Sequence, residues 1–223
     1  MWVLQNSNLD LWVADQWYAL QGNHWAWRKS WVNYDLIHHH GKQVIIGFGV
    51  AVISLIVASY FDHKLKYWRA PMIYLISVMT LVPAAIATLK KHNTANCPWD
   101  VLRYGGTEQY LPTLDHQFGL VEAGQCFPAG HASGGFALLG IYFAGLLFVQ
   151  KPARLLLPGL LLGSVFALGQ ESRGAHFLSH DIWTVTICWF SALGLFLLFR
   201  PGRWPTALNR KESTALSSAA RQT

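Results

Sequence analysis

Five apolar stretches decide what this chain can fold into. They run over about residues 44–61, 71–89, 132–149, 155–170 and 182–199, and none carries a charged residue in its middle. A helix needs roughly 17–25 apolar residues to cross a bilayer core. Each stretch is near that length, the fourth at its short end. Their internal periodicity is weak, as expected where lipid-facing and bundle-facing sides are both apolar. The expected fold class is all-α: a polytopic membrane helix bundle of about five transmembrane helices, preceded by an N-terminal interfacial segment.

Composition agrees with the membrane reading. Charged residues are 13% of the chain, against roughly 25% in soluble domains. Hydrophobic residues reach 52%, and there are 11 Trp, a residue that collects at membrane interfaces. The net charge of +6 does not point to nucleic acid. Lys and Arg sit in short connections and the tail, not on one aromatic-interleaved face. The first twenty residues lack a continuous apolar stretch, so no cleavable signal peptide is visible.

The connections orient the bundle. Lys64, Lys66 and Arg69 join the first two stretches, and Lys151 and Arg154 join the third and fourth. Arg200, Arg203, Arg210, Lys211 and Arg221 follow the last. Alternating spans put these three regions on one side, which the positive-inside rule makes cytoplasmic. The opposite side then holds 1–43, 90–131 and 171–181. In a bacterial inner membrane that side is the periplasmic face. Three regions follow: a Trp-rich interfacial segment over 1–43, a membrane domain over 44–199, and a basic, partly disordered cytoplasmic tail over 200–223. Within the first, Trp2, Trp12, Trp17, Trp25, Trp27 and Trp31 recur among polar residues, as in an amphipathic helix or hairpin at the interface. His38-His39-His40 reads as a solvated juxtamembrane stretch rather than a metal site, since no acid or Cys cluster accompanies it.

Chemistry has to lie in the outward segments, where polar residues gather at helix ends. The first runs from Lys90 to Asp100 and on to Arg103. The second is Gly124 to His131, ending Pro128-Ala129-Gly130-His131. The third is Gln170 to Asp181, containing Arg173-Gly174-Ala175-His176 and Ser179-His180-Asp181. Ala129-Gly130-His131 opens a helix, whose free N–H groups and dipole favour an anion. Arg173 can donate several hydrogen bonds to phosphate oxygens, and Lys90 adds a point charge. Two histidines near such a hole allow one to attack phosphorus and the other to protonate the leaving oxygen. An acid beside the attacking ring would fix its tautomer. Alone, Lys90 reads as a snorkelling boundary residue and Pro-Ala-Gly-His as a plain helix start. All three clusters on one membrane face, in this order, read as a phosphate site.

These residues resemble the type 2 phosphatidic acid phosphatase family, which shares its site with the vanadium haloperoxidases. The family carries Lys-x6-Arg-Pro, then Pro-Ser-Gly-His, then Ser-Arg-x5-His-x3-Asp. The likeness covers about residues 44–199. It implies a six-helix bundle whose site removes phosphate from lipid phosphates and pyrophosphates without a metal or other cofactor, through a phosphohistidine. On this likeness Lys90 is the first motif's Lys and Pro98 its Pro, with Cys97 where the family has Arg; Arg103, just beyond, is the expected replacement ligand. Pro128, Gly130 and His131 match the second motif, with Ala129 in place of Ser. His131 is then the general acid, and the backbone at Ala129 and Gly130 holds phosphate.

The third motif admits two alignments. In the favoured one His176 is the nucleophile, Arg173 stands about one helical turn closer to it, Asp181 is the orienting acid and His180 occupies the family's Asp position. In the other His180 attacks, and Thr184 stands where the acid belongs. Cys97 and Cys126 both fall outside, each beside a site motif, and a disulfide between them is expected in an oxidising compartment. Five stretches against six family helices leave two readings: a helix upstream of the given start, or residues 1–43 standing in for it. The expected activity is a membrane lipid phosphate or pyrophosphate phosphatase. A lipid phosphotransferase and a non-catalytic lipid-phosphate binder or transporter remain as alternatives.

Overall fold

The computed structural model describes residues 7–112, 124–146, 148–149 and 151–199. The basic tail expected over 200–223 lies outside the described residues. Among the described residues the chain is helical and has no strand. Helix α1 is Leu9–Leu20. A wide-wound segment, Trp31–His40, runs directly into α2, Gly41–Ala58. Then come α3, Arg69–Lys91; α4, Gly130–Phe136; α5, Gly140–Gly145; α6, Leu157–Glu171; and α7, Leu178–Leu198. A tighter turn over Ala137–Leu139 joins α4 to α5 into one rod.

Four segments are long and apolar enough to cross a membrane: Trp31–Ala58, Lys66–Lys91, Pro152–Glu171 and Leu178–Leu198. The first begins at Trp31 rather than near 44. Ser30 caps it, its Oγ accepting from the Asn33 N–H at 3.3 Å. Asn33 among its early polar residues faces protein rather than lipid: it is buried and donates to Ser172 Oγ at 3.1 Å. The fifth expected span, 132–149, is the α4–α5 rod. It is shorter than the others and enclosed by them, with Ala132, Phe136, Leu138, Leu139 and Phe143 all buried.

The rod is central because it is small. Tyr74, Val78, Val82 and Ile86 recur every four residues along α3 and present a continuous apolar ridge to it. Phe166 of α6 and Cys188, Ala192 and Phe196 of α7 close the core. The Tyr74 hydroxyl donates to the Ala192 carbonyl at 2.9 Å, satisfying the ridge's one polar tip. Against α6 the rod approaches backbone to backbone. A Cβ built on Gly135 would lie 2.6 Å from the Gly163 Cα, and one on Gly159 would lie 2.7 Å from the Leu139 nitrogen. Small residues that let helices approach this closely are a membrane packing device. Gly135→Leu is therefore expected to force α4 from α6 and destabilise the protein by about 1–3 kcal/mol or more. Thermal unfolding in detergent, compared with the parent, measures it; an unchanged midpoint would contradict the close crossing.

The N-terminal segment is integrated with the bundle end. Asp10 on α1 accepts from the Ser179 N–H at 2.7 Å and from its hydroxyl at 2.5 Å, so it caps α7 from another element. Gln21 donates to the Ser172 carbonyl at 2.8 Å, and Trp17 donates to Glu171 at 3.4 Å. Tyr18, Trp25 and Tyr104 pack edge to face with centroids 5.2–5.6 Å apart. Together these contacts roof the loop between α6 and α7, where Gln170 to Phe177 are all buried.

Candidate active site

All three sequence clusters meet beneath that roof. Lys90 ends α3 with its side chain half-buried. Its Nζ lies 4.0 Å from where a Cβ on Gly130 would stand, so the missing side chain leaves room beside the ammonium. Gly130 opens α4, and the first bond closed within the helix runs from the Ser133 N–H to the Ala129 carbonyl at 3.2 Å. The N–H groups of Gly130, His131 and Ala132 thus precede the helix ladder and carry its positive end.

Ala129 plays a different part from the one expected of it. Its N–H donates to Thr184 Oγ1 at 2.8 Å, and that hydroxyl donates to the His180 carbonyl at 2.7 Å. The Ala129 donor is therefore committed to locking α4 against α7. Arg103 is placed elsewhere too. Its guanidinium makes a bidentate pair with Asp15 at 2.8 and 2.6 Å, on the exposed side of α1. That hydrogen-bonded pair holds the Asp15 carboxyl below its ordinary range. Arg103 anchors the N-terminal helix and is not brought to the histidines.

His131 projects from the first turn of α4. Its ring lies between His38, 4.6 Å away, and Phe166, 4.4 Å away. Nε2 contacts the Ile37 carbonyl at 3.2 Å. A carbonyl only accepts, so this contact places a proton on Nε2 and leaves Nδ1 as the second titrating position.

His176 is buried in the α6–α7 loop, at 5% exposure. One ring nitrogen lies against the Cys126 backbone, while Nδ1 has no hydrogen-bond partner among the described residues. Lys90, His180 and His131 are near enough for their charges to act on it. Burial first, and the Lys90 ammonium second, hold the imidazole well below its ordinary value. His180 packs against Phe127, Phe177 and the His176 ring, with centroids 5.5, 5.6 and 5.8 Å apart. The Asp181 carboxyl sits against that of Glu171, with Lys90 and Asp10 nearby, rather than on His176 Nδ1. Arg173 donates from Nε to the Arg28 carbonyl at 2.8 Å and from Nη1 to Gln170 at 3.2 Å. Among the described residues its Nη2 is left without a partner.

Cys97 and Cys126 are joined as a disulfide, with Cα atoms 5.3 Å apart. The bridge ties the loop after α3 to the strand of chain leading into Pro128, and so fixes the backbone against which His176 rests. Gly174 adopts φ +73 with its Cα facing the Trp25 indole, a left-handed turn that a side chain would both strain and obstruct. No site role could be read from the sequence for Asp10, His38, Glu171 or Thr184. Only the bundle's closure brings His38 against His131, Glu171 beside Asp181 and Thr184 under the start of α4.

Helices of membrane-crossing length enclose a lysine, an open helix start and two histidines. The chain belongs to the PAP2 superfamily, whose family model matches residues 71–204. That match includes Lys90, the Gly130–His131 turn and the whole α6–α7 loop. Comparison with curated proteins and with solved structures gives no match. Family membership makes the chain phosphatase-type, a phosphoester hydrolase in general terms.

Proposed function

We propose that this chain is a lipid phosphate phosphatase of a bacterial inner membrane, acting at the periplasmic face through a phosphohistidine. The observation that carries the reading is the convergence of Lys90, Gly130–His131 and His176 from three distant segments at the end of the bundle. Phosphate presented at that depth belongs to a lipid headgroup whose chains remain in the bilayer.

In this mechanism Lys90, the N–H groups of Gly130 and His131, and Arg173 through Nη2 hold the phosphoryl oxygens. Their weight is greatest as charge builds on those oxygens in the transition state. His176 attacks phosphorus, the bond from phosphorus to the lipid oxygen breaks, and His131 delivers a proton to that oxygen. Water then attacks the phosphohistidine, giving up its proton to His131, and inorganic phosphate leaves. Asp181 acts together with Glu171 as a buried acidic pair near Lys90, steadying the cation that holds the substrate. His180 packs against the nucleophile's ring. Lys90, Arg173 and the backbone N–H groups contribute positioning and charge, His176 the nucleophile and His131 the proton, and no metal enters a step.

The test is phosphate release by the purified protein from a panel of lipid phosphates with a chelator present. Release that survives chelation is expected. Loss of release on chelation would contradict the metal-free route, and no release from any lipid would favour a phosphotransferase or a binder. The pH profile gives a second expectation. His176 attacks only when neutral, and its value lies below the ordinary imidazole value of about 6.5. Lowering the pH therefore protonates it late, and the acidic limb of kcat/KM assigned to it should fall below about pH 6.5. An acidic limb above that value would place the nucleophile in a more solvated setting than His176 occupies.

A further inference from the structure

The Cys97–Cys126 bridge is buried and joins positions 29 apart in the chain. Each half of it holds a different part of the turn that carries His176. On the Cys97 side, the Trp99 N–H donates to the Gly174 carbonyl at 3.0 Å. The Trp99 ring also lies against the Arg28 guanidinium, 4.1 Å away, and the Arg28 carbonyl accepts from Arg173. On the Cys126 side, the sulfur stands 3.5 Å from the Ala175 carbonyl oxygen, and the backbone lies against the His176 ring. The covalent bond therefore closes a clamp around residues 173–176.

Little else holds the two halves together. Among the described residues, two backbone bonds join the segments directly. The Cys126 N–H donates to the Ala95 carbonyl at 3.0 Å, and the Gln125 N–H donates to the Asn93 carbonyl at 3.4 Å. Without the sulfur–sulfur bond these two would have to hold a long loop closed against its entropy.

We infer that the Cys97–Cys126 bridge is the positioning device of His176, and that the protein becomes a competent phosphatase only once a thiol oxidant has formed it. This rests on the reading of His176 as the nucleophile. The oxidant is a dithiol carrier in its disulfide form. One cysteine thiolate attacks the carrier's S–S bond, which breaks and leaves one carrier sulfur as a thiolate. The second cysteine thiolate attacks the mixed disulfide, and the other carrier sulfur departs with the electron pair. The two cysteines lose two electrons and two protons, and the carrier gains both as a dithiol. Activity is then confined to an oxidising compartment. Both sulfurs end up buried, so the bridge is a licence acquired at folding rather than a reversible toggle.

The test uses the full chain in detergent, oxidised, reduced with a phosphine and reoxidised, with thiols counted by alkylation and mass. Phosphate release from a lipid phosphate is measured below the unfolding midpoint of the reduced protein. Misplacing a reacting group by about 1 Å costs up to about a hundredfold. Reduction should lower kcat at least about tenfold, and reoxidation should restore it. Cys97→Ser/Cys126→Ser should match the reduced parent and ignore the phosphine, which removes the buried Cys188 thiol as the cause. The acidic limb of kcat/KM should also rise toward about 6.5, because burial is what holds His176 below that value. A bridge that only stabilises the fold would lower the unfolding midpoint and leave kcat and the limb in place, and that result overturns the inference.

Hydrogen exchange on the same samples reads the clamp without turnover. Amides of residues 174–177 should exchange at least about tenfold faster on reduction, while those of 184–192 in α7 hold steady. Loss of protection in both regions marks general unfolding and also overturns the inference. Faster exchange confined to the turn, in a protein that releases no phosphate when oxidised, defeats the phosphatase reading and leaves the clamp. Turnover with unchanged exchange defeats the clamp and leaves the phosphatase.

Discussion

His176→Ala is expected to lower phosphate release by about a thousandfold or more, the usual scale for losing a covalent nucleophile. His176 stands in a loop that the N-terminal segment roofs and the Cys97–Cys126 bridge backs, with the charges of Lys90 and His131 upon it. His180 is also buried, but it is enclosed by Phe127 and Phe177 and lies one position into the helix beyond Ser179. His180→Ala should therefore cost far less, about tenfold, through looser seating of the His176 ring. Phosphate release by the two variants, with thermal unfolding as a control for folding, decides the assignment. Full activity in His176→Ala, or a larger loss in His180→Ala, would hand the nucleophile's role to His180.

The second large effect belongs to Lys90. Lys90→Met keeps the length and apolar stem while removing the charge. It should lower kcat/KM by about a hundredfold to a thousandfold, as for other groups that stabilise charge developing in a transition state. Three features make Lys90 hard to replace. It is half-buried, so its field is poorly screened. It faces the open start of α4 across the gap that Gly130 leaves. The cation expected to help it, Arg103, is instead paired with Asp15 on the surface. Lys90→Arg should recover only part of the loss, because a planar guanidinium does not fit the space of a compact ammonium. A Lys90→Met protein with parental kcat/KM would show that phosphate binds elsewhere.

The same residues show how far the sequence carries. The crossing helices were legible because lipid imposes length and composition on each one separately. The segments of the proposed site stood out because glycine, histidine, lysine and arginine at helix ends are expensive to keep in a membrane without a use. What sequence could not supply were relations across the bundle. The first span's early start was hidden because Asn33 and His38 are polar yet face protein. The commitment of Ala129 to Thr184 depends on how α4 meets α7, 55 residues apart in sequence. Arg103 looked like a spare phosphate ligand because it follows the first motif closely, and only the position of α1 shows that Asp15 claims it. Asp10 carries no motif at all, and its role as a cap for α7 exists only in the folded chain.

The α1 roof has a mechanistic consequence. Ser172 to Phe177 is a connection between two helices, a kind of segment that ordinarily sits in solvent. Here Trp17, Gln21, Trp25 and Asn33 cover it. On the proposed mechanism, water excluded from the loop would strengthen each interaction between phosphate and the groups that hold it.

The most direct measurement is to trap the covalent intermediate. The purified protein is mixed with a lipid phosphate, quenched in alkali while turning over, digested and mapped by mass spectrometry. One phosphoryl group is expected on His176, absent from His176→Ala. A phosphoryl group on His180 or His131, or turnover with no phosphohistidine at all, would contradict it.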